Sequence, residues 1–113
     1  MEIETITSLQ KPDLFEKFKI QVAKDFEMAG VSEFYPKMES NNLEYLKDAF
    51  YNSILKLEIG NVLKNLLYRI DITELQIKNA SIKKPEIPLQ YLLAELMIKR
   101  ILQKVILKEQ YSK

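Results

Sequence analysis

The chain has 113 residues, 47% of them hydrophobic and 29% charged, and a net charge of +1. That size and composition make one domain with a core of its own, without a metal or disulfide staple. There is no cysteine and no histidine, which excludes disulfides, thiolate and imidazole metal sites, and every nucleophile–histidine pair.

Two glycines are few for the turns of a β-protein. The composition predicts an all-α fold: a small single-domain bundle of four to six helices over residues 1–113, with a long C-terminal helix. Absence of cysteine is compatible with a reducing compartment. The acidic N-terminus MEIETITSLQ lacks the pattern of a signal peptide. No apolar stretch approaches the about 20 residues of a membrane span. The expectation is a cytoplasmic protein without membrane contact.

In chain order, Ile3, Ile6 and Leu9 are spaced by three, so residues 1–10 are expected as a helical turn or a loose arm on the core. Pro12 then opens a helix over residues 12–29. Proline at the first position has no N–H to leave unpaired, and Asp13 and Glu16 favour the positive end of the helix dipole. Leu14, Phe15, Phe18, Val22, Phe26 and Ala29 share one face. Gly30 supplies the left-handed stop.

Residues 30–41 form a connecting loop, with Phe34, Tyr35 and Met38 either pinning it to the core or presenting an apolar patch. Asn41 followed by Glu44 reads as a capping box. Leu43, Leu46, Phe50, Ile54 and Leu57 continue one helical face. Gly60 is expected to break or kink the helix, giving helices over residues 42–59 and 61–70. Thr73 with Gln76 makes a second capping box, and Ile72 with Ile77 a hydrophobic staple, so a short helix over residues 74–80 follows. The alternation of Tyr68, Ile70 and Ile72 would also suit a strand, but hairpin turn residues are missing.

Residues 81–87, with Lys83-Lys84-Pro85, form a second connecting loop. Pro88 then opens the longest helix, to Gln110. Its apolar positions, among them Leu89, Leu92, Leu93, Leu96, Met97, Ile98, Ile101, Leu102, Val105, Ile106 and Leu107, cover more than half of its circumference. A one-sided surface helix needs a stripe only about 100° wide, so this helix meets neighbours on more than one side.

Charge is uneven. Residues 1–50 hold ten acids and six bases, whereas residues 83–113 hold seven bases and three acids. Either an acidic first half folds against a basic last helix, or a basic face awaits an anionic partner. Arg100, Lys104 and Lys108 form a stripe at spacing four. They are explained by the helix dipole or by contacts with phosphate.

The segment from Leu66 to Ile77 resembles the helix-turn-helix of DNA-binding proteins. Ile70-Asp71-Ile72-Thr73 takes the place of its turn, with Asp71 where glycine is usual and Leu67 where a small residue is usual. The resemblance implies that residues 66–80 would offer Gln76, Lys78 and Asn79 to nucleic acid.

The acidic pairs Asp13/Glu16 and Asp71/Glu74 could hold a cation only if they converged. Both occupy helix starts, where capping and the dipole already explain acids. There is no phosphate loop and no nucleophile elbow. No enzyme and no cofactor is therefore expected. The reading favoured on these grounds is a protein-interaction or accessory module, self-association included. The alternative is a nucleic-acid-binding regulator. The candidate contact residues are Gln76, Lys78, Asn79, Arg100, Lys104 and Lys108.

Overall fold

The computed structural model describes residues 2–57 and 61–111. Among them lie six α-helices: α1 Glu2–Leu9, α2 Pro12–Met28, α3 Leu43–Leu57, α4 Val62–Ile70, α5 Glu74–Lys83 and α6 Leu89–Tyr111, with one 3-10 turn at Ser32–Phe34. The fold is all-α, as the composition predicts. The break expected at Gly60 falls outside the described residues.

At 1.5 Å per residue the 23 residues of α6 run about 34 Å. The whole molecule is 38 Å in its longest direction. Helices α2, α3, α4 and α5 all pack on this axis. Leu93, Ala94, Met97, Ile98, Ile101 and Leu102 of α6 join one core with Phe18, Val22 and Phe26 of α2, Leu46, Phe50, Ile54 and Leu57 of α3, and Leu66 and Ile70 of α4. Each fully buried large side chain contributes on the order of 1.5–3 kcal/mol. The broad apolar surface of α6 is thus largely the hub of its own fold.

The N-terminal arm is a helix. Its Leu9 is completely buried, and α1 lies against α2 and α3. The Leu9 carbonyl, left without an intrahelical partner at the helix end, accepts from Asn41 Nδ2 at 3.3 Å. This use of Asn41 corrects the expected cap of α3. Asn42 is the residue whose Oδ1 accepts from the Tyr45 N–H, at 3.0 Å. The helix therefore starts one residue later than expected, and Glu44 falls outside the capping-box position. Two consecutive asparagines divide two orphan groups between them.

Two helix ends close in the same way. At the end of α2 the Val31 N–H reaches the Phe26 carbonyl at 2.9 Å, and the Gly30 N–H reaches that of Glu27 at 3.0 Å. At the end of α4 the Ile72 N–H reaches the Leu67 carbonyl at 2.9 Å, and the Asp71 N–H that of Tyr68 at 3.1 Å. Both are Schellman closures, each with a left-handed residue at its corner. Gly30 has φ 76° and Asp71 φ 73°. Aspartate tolerates this region better than most side chains.

Thr73 and Gln76 form the expected capping box: the Thr73 N–H donates to Gln76 Oε1 at 2.8 Å, and the Gln76 N–H to Thr73 Oγ1 at 3.2 Å. Helix α5 runs to Lys83, three residues past its expected end. Nothing in Ser81-Ile82-Lys83 opposes a helix, and the stop comes only where Pro85 bars Lys84 from helical geometry. In the loop after α2, Pro36 and Met38 are buried and Phe34 is half-buried, so the loop is pinned. Tyr35 stays partly exposed and meets the Phe26 ring edge-on at 6.3 Å.

A Cβ added at Gly30 would meet nothing within 4 Å, so the cost of Gly30→Ala is conformational alone. Urea denaturation should find it about 1 kcal/mol less stable. A neutral effect would show that the left-handed corner carries no strain.

Candidate functional site

The residues proposed as contacts divide into two sets. Those of α6 are engaged by side chains of the same chain. Lys104 Nζ meets Asp25 Oδ2 at 2.8 Å, Lys108 Nζ donates to Gln21 Oε1 at 2.8 Å, and Arg100 Nη2 meets Asp71 Oδ2 at 2.8 Å. Gln76 is engaged in the capping box of α5. Lys78 and Asn79 are exposed on α5.

Asp25 is the residue that sequence reasoning missed. It is 1% exposed, and three helices supply its partners. Besides Lys104, Gln21 Nε2 donates to Oδ1 at 3.0 Å, and Arg69 Nε lies 4.0 Å from the same oxygen. Arg69 also reaches Met28 Sδ through Nη2 at 2.9 Å, and Lys17 pairs with Glu109 farther along the same seam. The signal was present. Phe18, Val22, Phe26 and Ala29 define the core face of α2, and at 100° per residue Asp25 falls directly beside it, next to Phe18.

Lys47 repeats the pattern on α3, between Leu43, Leu46 and Phe50. Its side chain is 6% exposed and lies 3.4 Å from both Glu44 and Glu95. Glu95 also holds Lys99 at 3.0 Å and Lys84 at 3.5 Å. Burial pushes the Glu95 carboxyl up. The hydrogen bond and charge of Lys99, with the charges of Lys47 and Lys84, outweigh it and hold the group below its ordinary value of 4.5. Nearby, Tyr91 packs on Tyr51 at 5.8 Å. Burial first, then the charges of Glu44 and Asp48, push the Tyr91 hydroxyl up.

The acidic pairs considered for a cation do not converge. Asp13, Glu16, Asp71 and Glu74 are all exposed. Glu16 pairs with Lys19 at 2.8 Å, and Asp71 is held by Arg100. Among the described residues no group of three or more acids is placed to hold a metal ion, and no helix is long and apolar enough to cross a membrane.

The outward side of α6 is an open groove of about 460 Å³. Leu96, Leu102, Ile106 and Leu107 give it an apolar floor. Lys99, Arg100, Gln103 and Gln110 stand along it, α1 supplies Glu4, Thr5 and Ser8, and α5 supplies Gln76. The α6 residues recur every three or four positions from 96 to 110, one face about 21 Å long. Leu107 is 39% exposed.

No protein-family model, curated protein or solved structure matches the chain.

The seam should behave as a buried ion pair. Asp25→Ala leaves the Lys104 ammonium, 18% exposed, without its partner, and should lower stability in urea by about 3 kcal/mol. Asp25→Leu combined with Lys104→Met should recover most of that loss. A double variant as unstable as the single one would show that the charges themselves are needed.

For Glu95 the sign follows from its lowered folded pKa. Such a carboxyl stabilises the fold above its unfolded value, and that contribution is lost as pH falls through the folded value. Stability should therefore decline below about pH 4.5, and Glu95→Gln should flatten that limb while weakening the fold at neutral pH. Urea curves across the acid range measure both.

Proposed function

We propose that the chain is a cytoplasmic protein-interaction module that receives a helix of another protein in the groove between α1, α5 and α6. The observation that supports this reading is the outward face of α6 over residues 96–110. Its apolar floor and polar rim have the composition of a helix-in-groove site, in which a partner's apolar stripe meets the floor. A face about 21 Å long matches about four turns of partner helix. Apolar anchors contribute on the order of 1.5–3 kcal/mol each, against several kcal/mol of lost freedom on association. A reversible complex follows. Self-association is the version in which the partner helix comes from a second copy.

The nucleic-acid reading retains Lys78 and Asn79 on α5. Its basic stripe is committed elsewhere, since Arg100 and Lys104 pair with carboxylates and Lys108 with an amide of the same chain. The protein reading therefore has the better support.

The test is selection of helical peptides from a displayed library against the full chain, followed by amide chemical-shift mapping. Selected helices should shift residues 96–110. Leu107→Gln should weaken them about tenfold, or 1.4 kcal/mol, while circular dichroism shows the helices intact. If no helix is selected, or the shifts lie away from this face, the groove is not the site. Light scattering across concentration distinguishes a second copy from a different partner.

A further inference from the structure

Helix α5 carries two of its three large aliphatic residues on the wrong side for a surface helix. None of its residues is buried. Ile77, Ala80 and Ser81 are half-buried, and α5 packs against α6. Leu75 and Ile82 lie two turns apart on the opposite side, 65% and 66% exposed. At 100° per residue, Lys78 and Lys83 fall on either flank of that pair, with Asn79 between. Lys84 follows at the helix end. It keeps 51% exposure while lying 3.5 Å from Glu95. The one acid on α5 is Glu74, in the first turn, where the dipole favours it.

We infer that this outer face of α5 is a docking ridge for an acidic amphipathic helix of a partner protein. The partner's apolar residues cover Leu75 and Ile82, and its carboxylates meet Lys78 and Lys83. The charge selects the occupant. A second copy packed along the same ridge would set lysines against lysines. A second copy offering its groove would bring Lys99 and Arg100 to the same cations. A nucleic-acid backbone matches the lysines but would cover the two aliphatic side chains with charged phosphates, which gains nothing from them. A bilayer surface calls for a larger apolar face than two side chains on a ten-residue helix. Helix pairing matches both features, since anchors at positions i and i+7 lie along one helix stripe. The ridge and the groove are separate surfaces, so this inference does not require the groove to be occupied.

Two synthetic amphipathic helices with the same leucine pattern test it, one flanked by glutamates and one by lysines. Each is titrated into the full isotope-labelled chain. The glutamate helix should shift the amides of residues 74–84 and bind more weakly as salt rises. Leu75→Ser should weaken it about tenfold. Lys78→Glu with Lys83→Glu should transfer the preference to the lysine helix, a reversal that mere damage to the fold would not produce. Circular dichroism of each exposed-site variant checks that the helices remain. The inference is overturned if the lysine helix binds wild type equally well or if the glutamate helix leaves residues 74–84 unmoved. It is also overturned if a DNA duplex or phosphatidylserine-containing vesicles move those residues when the glutamate helix does not. Shifts confined to residues 96–110 would support the groove and end the ridge proposal. Shifts confined to 74–84 would do the reverse.

Discussion

A carboxylate buried at the edge of a core-facing helix stripe has to find a cation or cost several kcal/mol. Asp25 is in that position, and Lys104 answers it at 2.8 Å. The pair constrains more than its own neighbourhood. With Lys104 turned toward α2, the buried Ile101 and Val105 lie to one side of it on α6. Residues 96, 99, 103, 106, 107 and 110 fall to the other side, about 60° to 160° round the helix from Lys104. The ion pair thus stands at the border between the core stripe of α6 and the face that opens to the groove.

The uneven charge of the chain resolves along similar lines. The basic final helix does fold against earlier acids, but through few contacts, each at a defined place. Asp25 takes Lys104, and Asp71 takes Arg100. Glu95 runs the other way, as an acid of α6 gathering Lys47 of α3 and Lys84 beyond α5. Among the described residues no buried side-chain nitrogen or oxygen lacks a partner. The cations of α5 contrast with these, because Lys78 and Lys83 stay exposed beside apolar residues that are exposed as well. Charge on α6 serves the fold, and charge on α5 is left for what approaches it.

Features whose cause is local could be read from the chain. Pro12 opens α2, Gly30 ends it, and Thr73 with Gln76 caps α5, because each acts within a few residues of itself. The core faces of α2 and α3 were equally legible from spacing. Asn41 shows where local reading stops: either asparagine can cap α3, and the choice rests on the Leu9 carbonyl 32 residues earlier. Asp71 is similar, since its left-handed corner is shared with a contact to Arg100, 29 residues on. The direction of the basic stripe on α6 depends on which helix lies opposite, information no single helix contains. For α5, Leu75 and Ile82 compete with Ile77 for the inward side, and ten residues of periodicity do not decide between them.

The polar contacts between α2 and α6 also answer a difficulty that the apolar breadth of α6 creates. A helix with aliphatic side chains around most of its surface can be buried in several rotations at nearly equal gain, because burial is not directional. Lys104 with Asp25, Lys108 with Gln21 and Glu109 with Lys17 form successive rungs between antiparallel helices. Sliding α6 by one turn or rotating it by half a turn keeps much of the apolar contact but strands Asp25 in the core. Losing a buried partner costs about 3–5 kcal/mol, comparable with the whole stability of a small domain. The rungs add little to the depth of the fold compared with an apolar seam of the same shape. They remove its competitors, and with them any arrangement in which the face over residues 96–110 is buried.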